Sequence, residues 1–292
     1  MAIEIDIAVA CNYMQHYEWW SQVFSHIIQE VQAGDITIGR VYTSGTAVVD
    51  NAKNRLAGQG LHPKRETYTD NNRNKLAGVT VGGSKLPDGF MDSTAEWVFW
   101  LDDDTVQPAR TIRKLLDLRR EFVSGLYFLG GPPHNPLAYV RTEEGFYRPL
   151  YKYTYGVLTK VDAVGMGCAL IHKGVYRKIM EAHTVFQQPD ASLIAVPNTK
   201  IETDETAPRP QLDGDRIVNG VMHRPLVRPE ADDNRAWPFY AMAHSRTEDL
   251  YFGELCANAG VDIWVDTTIT CDHWKTKAVN YQTYLDHQKA AQ

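Results

Sequence analysis

Three consecutive carboxylates, Asp102, Asp103 and Asp104, stand directly after the apolar run WVFWL. Adjacent carboxylates repel one another, so placing them where a buried strand ends is costly unless a cation or solvent relieves the charge. A divalent metal ion does this directly. The alternative is a solvated turn in which one Asp caps the next helix. A second acidic pair, Glu248 and Asp249, opens the stretch EDLYFGELCANAG. Carboxylates favour a helix N-terminus through its dipole, so simple capping is one reading of this pair. Asp272, His273 and Trp274 form a third cluster, in which the imidazole is either a structural group or a ligand.

Such residues act only if the chain brings them together. Residues 3 to 10, IEIDIAVA, read as a strand entering a buried sheet, and 17 to 31 as a helix with Trp20, Val23, Phe24, Ile27, Ile28 and Val31 on one face. Gly34 ends that helix. ITIGRVYTS is a second strand, and TAVVDNAKNRLAGQG a second helix-like stretch. A strand over 96 to 101, a helix from Pro108 to Arg120, the strand FVSGLYFL and short antiparallel strands within 137 to 162 follow. Later come a helix from Glu248, the strand VDIWVDT and a helical end from Tyr281. The alternation predicts one α/β domain over 1 to 292, with a Rossmann-like, mixed but mainly parallel sheet flanked by helices and ligands at the carboxyl ends of its strands. Two polar segments, 62 to 93 and 187 to 236, lack periodicity and read as insertions or long loops.

Taken in order, these clusters resemble the GT-A glycosyltransferases, closest to the family 2-like enzymes of bacteria and tailed phages. Asp102 to Asp104 look like the DxD motif, and the opening strand, with Ala10 and Asn12 at its end, looks like the nucleotide-binding strand. VDNAKNRLA resembles the helix that usually reads ARN, with Lys53 in place of the arginine and Arg55 as an alternative contact. VDAVGMGCALIHKGVYRKI resembles the turn lining the donor-sugar pocket, where Gly165 and Gly167 let backbone come close to the sugar. The phage flavour rests on VSGLYFLGGPPHNPLAYV.

The resemblance implies Mn²⁺ or Mg²⁺ as cofactor and a nucleotide-sugar donor, with UDP the expected nucleotide. Asp102, Asp104 and His273 are expected to converge on the metal, with Asp102 and Asp103 also near the donor. Asp249 is the implied base taking the acceptor proton with inversion, and Glu248 orients acceptor or loop. The acceptor is a glycan, a small molecule or, in a phage variant, hydroxymethylated bases of DNA. For the DNA variant speaks a basic cluster, Lys64, Arg65, Arg73, Lys75 and Lys85, beside Tyr68.

Against it stands a net charge of -6, since polyanion affinity comes from many Lys and Arg contacts. A nucleotidyltransferase of similar fold is a further alternative, but ACNYMQHYEWW lacks the glycine-rich phosphate loop that class carries. A non-catalytic sugar-binding protein follows only if the acidic clusters face different clefts. No apolar run reaches the roughly 18 to 20 residues that span a bilayer. With no basic leader, the expected location is cytoplasmic, in the host if phage-encoded. Cys11, Cys168, Cys256 and Cys271 form no CxxC pair and read as buried thiols.

Overall fold

The computed structural model describes residues 2–10, 17–34, 36–43, 69–85, 89–188, 191–200, 216–218, 221–223, 228–242, 246–274, 278–279 and 281–290. Its strands are β1 (Ile3–Ala10), β2 (Ile36–Thr43), β3 (Trp97–Asp102), β4 (Thr105–Val106), β5 (Phe122–Leu126), β6 (Ala138–Arg141), β7 (Tyr147–Pro149), β8 (Leu158–Val161), β9 (Ala163–Val164), β10 (Cys168–His172), β11 (His183–Gln187), β12 (Leu193–Pro197), β13 (Arg216–Val218), β14 (Val221–His223), β15 (Ile263–Thr270), β16 (Asp272–Trp274) and β17 (Ala278–Val279). The helices are α1 (Tyr17–Gln32), α2 (Thr69–Ala77), α3 (Thr111–Asp117), α4 (Lys173–Ala182), α5 (Glu248–Asn258) and α6 (Tyr281–Ala290).

The main sheet runs β2-β1-β3-β10-β5-β15-β8. Strands β1, β2 and β3 are parallel, as are β5 and β15, whereas β10 and β8 run antiparallel to their neighbours. Side chains alternate across a strand, and the two cores follow that period. Phe99 and Leu101 of β3 join Trp19, Val23, Ile27, Ile112 and Leu115 on the face covered by α1 and α3. Val98 and Trp100 join Leu76, Tyr176, Ile179, Phe252 and Leu255 on the face covered by α2, α4 and α5. This is the expected helix-flanked, mainly parallel α/β sheet.

Two expectations need correcting. In α1 the buried residues are Trp19, Val23, Ile27 and Glu30, while Phe24, Ile28 and Val31 are exposed. Polar bonds set this rotation: Trp19 Nε1 donates to Thr105 O at 2.8 Å, and Glu30 Oε1 accepts from Ile112 N–H at 3.0 Å. Nor is 62 to 93 a peripheral insertion over its described part. Leu76, Ala77, Val79, Phe90 and Met91 all enter the core, and Val81 and Gly82 N–H groups donate to the carbonyls of Arg235 and Asp233 at 2.9 and 3.0 Å. The two polar segments are thus zipped together, and the second also supplies β12, which pairs with β11 and buries Ile194 and Ala195. Cys168, Cys256 and Cys271 are buried free thiols, as expected. Among the described residues no helix is long and apolar enough to cross a membrane.

Candidate active site

The parallel strands bring their carboxyl ends to one edge. There Ala10 of β1 pairs with Asp102 of β3, and Cys168, which opens β10, pairs with Leu101. Gly165 and Gly167 immediately precede Cys168, so the acidic triplet and the glycine turn share that edge. Asp102 has the same strand parity as Val98 and Trp100, which directs it to the face of α2 and α5.

On that face waits Arg73, on α2 and only 1% exposed. Its Nη2 lies 2.7 Å from Asp102 Oδ1, and its Nη1 lies 3.2 Å from Glu248 Oε1 and also pairs with Asp249 Oδ1. One guanidinium therefore joins the carboxylate at the end of β3 to both carboxylates in the first turn of α5. Thr247 stands at the N-cap of that helix without a side-chain capping bond, and Glu248 and Asp249 follow in its first turn. The Arg73 guanidinium also sits 5.7 Å from the Tyr240 ring centroid. Asn74 holds α2 in place, donating to Tyr240 O at 2.7 Å and accepting from Tyr240 N–H at 2.9 Å.

Sequence reasoning placed Arg73 in a surface cluster that could meet phosphates. Buried among three carboxylates, it belongs to no such surface. Lys75 and Lys85 remain outward-facing, Lys85 beside Asp92 at 3.4 Å, while Lys64 and Arg65 lie outside the described residues. Asn12, Lys53 and Arg55 lie outside them too.

The electrostatics follow from three acids around one cation. Burial pushes the Asp249 carboxyl up, to about 8, with Arg73 pulling it down and Glu248 and Asp102 adding to the rise. Tyr127 is held protonated well above its ordinary value by burial and by Asp102 and Asp249. Its hydroxyl accepts from Gly167 N–H at 2.8 Å and lies 3.5 Å from Asp102 Oδ2. A Cβ on Gly167 would sit 2.9 Å from the Tyr127 ring, and one on Gly165 would sit 2.8 Å from it. The close approach these glycines permit is therefore to Tyr127.

The late histidine arrives by strand pairing. β16 runs antiparallel to β4, with His273 opposite Thr105, and this sets His273 Nε2 3.1 Å from Asp104 Oδ2. The ring's Nδ1 lies 2.8 Å from Phe128 O. A carbonyl only accepts, so Nδ1 carries hydrogen and a neutral ring turns its Nε2 lone pair toward Asp104. Two acceptors at that distance need a proton or a cation between them. A carboxylate and an imidazole oriented by a carbonyl behind it form a donor pair suited to a divalent cation. Asp104 and His273 thus meet as expected, whereas Asp102 is directed to Arg73 and Tyr127. Asp103 is buried, 8% exposed.

A groove of about 520 Å³ lies at the opposite, amino edge of the sheet, between Ile3, Trp97, Arg120 and His172. None of the acidic residues named above lines it.

No protein-family model matches the sequence, and no curated protein matches it. Among solved structures the chain is similar to A197 from STIV, at 9% sequence identity and a TM-score of 0.40, over 96% of this chain and 91% of that one.

Proposed function

We propose that the protein is a metal-dependent glycosyltransferase of the GT-A type, which moves a sugar from a nucleotide-sugar donor, with UDP the expected nucleotide, to an acceptor hydroxyl with inversion. The observation that carries this reading is the convergence on Arg73 of Asp102 and the Glu248–Asp249 pair, with Asp104 meeting His273 beside them. Acidic clusters facing separate clefts would have favoured a non-catalytic binding protein.

Asp104 and His273 are the residues to hold Mn²⁺ or Mg²⁺. The bound ion supplies positive charge against the negative charge that builds on a departing nucleoside diphosphate. Asp249 takes the proton of the attacking hydroxyl, and a base whose carboxyl is raised toward neutrality is matched to that task. Arg73 holds it in place and is itself braced by Glu248, and Tyr127 steadies Asp102 and the turn at Gly167.

The test is a screen of nucleotide-sugars for hydrolysis and thermal stabilisation, with and without Mn²⁺. We expect one nucleotide-sugar to be hydrolysed and to raise the melting temperature only with the metal. If no nucleotide-sugar stabilises or is turned over under either condition, the reading fails.

A further inference from the structure

Beside the acid pair the protein displays tyrosines on its surface. Tyr151 is 53% exposed and Tyr155 58%. Tyr155 stacks on Tyr281 with ring centroids 5.8 Å apart, and Tyr281 on Tyr284 at 6.2 Å. Tyr284 in turn stacks on Phe128 at 4.5 Å. The carbonyl of that same Phe128 orients His273. One end of the aromatic row is therefore anchored to the Asp104–His273 pair.

Tyr151, a neighbour of both Tyr284 and Tyr139, leads to the acids of α5. Tyr139 pairs with Pro149 across the β6–β7 hairpin, and Tyr151 follows that strand directly, donating its N–H to Pro149 O at 2.9 Å. On its other side Tyr139 pairs with Ala163 of β9, against which Gly253 of α5 packs so closely that a Cβ there would lie 2.6 Å from Ala163 Cβ. Tyr139 accordingly feels both acids of α5. Burial first, then Asp249, Glu248 and Tyr151, push its phenol up to about 12. The segment bearing Tyr151 and Tyr155 is pinned as well, since Thr267 Oγ1 donates to Thr154 O at 3.2 Å and accepts from Gly156 N–H at 2.9 Å.

Adjacent exposed aromatics mark a surface that meets a partner. Ring faces carry partial negative charge, which suits the C–H faces of sugar rings. They suit nucleobases too, but here the tyrosines lead to Asp104 through Phe128 and His273 and to Glu248 and Asp249 through Tyr139, in a chain of net charge -6. A phosphate backbone, or a sulfated or sialylated chain, is repelled there, whereas a neutral polyol is not. We infer that Tyr151, Tyr155 and Tyr281 form the acceptor platform of the site and that it takes a neutral glycan by stacking on its sugar rings. This rests on the glycosyltransferase reading and gives it an acceptor class.

The test is capture on a glycan array holding neutral, sialylated and sulfated oligosaccharides, with a single-stranded dT20 oligonucleotide as a further probe. The protein should retain at least one neutral oligosaccharide in preference to all anionic probes. Tyr151→Ala and Tyr155→Ala should each weaken that capture roughly tenfold, as loss of a stacking ring does, and Tyr151→Phe and Tyr155→Phe should restore it. Thermal melting of each variant confirms that the fold is kept. Absence of neutral-glycan capture, preference for dT20 or sulfated probes, or undiminished capture by the doubly substituted protein overturns the platform. Nucleotide-sugar hydrolysis by the unaltered protein is read in parallel. Glycan capture without any hydrolysis sinks the transferase reading and leaves the platform standing, whereas hydrolysis without capture does the reverse.

Discussion

Among the described residues two cations, Lys173 and Arg73, are buried, and they are held in opposite ways. Lys173, at the start of α4, has one carboxylate: its Nζ lies 2.9 Å from Asp6 Oδ2 and donates to Ser93 Oγ at 2.7 Å. Asp6 is completed by the N–H of Arg40 at 3.0 Å and by Ser93. One positive and one negative charge close into a satisfied network within the sheet. Arg73 has three carboxylates, and its Nε is buried with no partner. A balanced buried pair neutralises itself and serves to join strands. An unbalanced one leaves negative charge at the carboxyl edge, where a metal ion, a bound proton or a ligand must answer it.

The sharpest way to break this contrast is Asp249→Asn. It removes basicity while keeping size, so transfer should fall by a factor of about 10² to 10⁴, the usual worth of a positioned base, with donor affinity retained. Steady-state transfer set beside nucleotide-sugar binding reads the difference. Equal losses in both would move Asp249 into the donor site. Near-normal transfer with the anomeric configuration retained would instead indicate a mechanism in which the leaving phosphate takes the proton.

Next in size is Lys173→Met. Leaving Asp6 buried without its cation should cost about 3–5 kcal/mol in denaturant unfolding. Adding Asp6→Leu should recover much of that loss, because the double change leaves no buried charge. Neither variant should gain stability from Mn²⁺. Recovery of Lys173→Met by Mn²⁺ would erase the distinction between the two sites.

Arg73→Met should also destabilise, but in a different way. Three carboxylates then face one another, so added Mn²⁺ should restore roughly 2.7 kcal/mol at a hundredfold excess over its Kd. Acid should restore stability too, as protons replace the lost cation. Melting curves across metal concentration and pH separate this response from that of Lys173→Met.

The same contrast can be read through pH dependence. With the Asp249 carboxyl raised to about 8, the free protein below that pH holds it protonated and inactive as a base. Thus kcat/KM should climb about tenfold per unit as pH rises toward 8 and then level. Its stability should move the other way. The folded protein binds that proton more tightly than the unfolded chain, whose carboxyl ionises near 3.8, so stability declines as pH rises from about 4 to about 8. Asp249→Asn should abolish both trends, and an unchanged pH profile in that variant would assign the limb to another group.

Much of the site was legible because it obeys local rules. Asp102 to Asp104 follow an apolar strand, Glu248 and Asp249 open a helix, and His273 follows a late strand. Each carries a signal within a dozen residues. Arg73 carried none. Its helix, TDNNRNKLA, buries Asn72, Arg73 and Asn74 along with Leu76 and Ala77, so polar residues take up much of the inward face and no hydrophobic period marks it. The missing signal lies in partners far along the chain: Asp102 is 29 residues away and Asp249 is 176. A similar cause turned α1, whose apolar stripe yielded to hydrogen bonds of Trp19 with β4 and of Glu30 with α3, some 80 residues on.

Sequence alone did not show α2, α4 or the short strands of the second polar segment, but it determined the alternation of the main strands with α1, α3 and α5, the mainly parallel sheet and the edge at which its acids gather. Those follow from period, punctuation and chain direction, which are properties of neighbouring residues. Only the tertiary structure decided that Asp104 meets His273 while Asp102 turns to Arg73, and that the polar segment before β3 supplies the cation at the centre. A buried charge is tolerated only where opposite charge surrounds it, and that surrounding is assembled from distant parts of the chain.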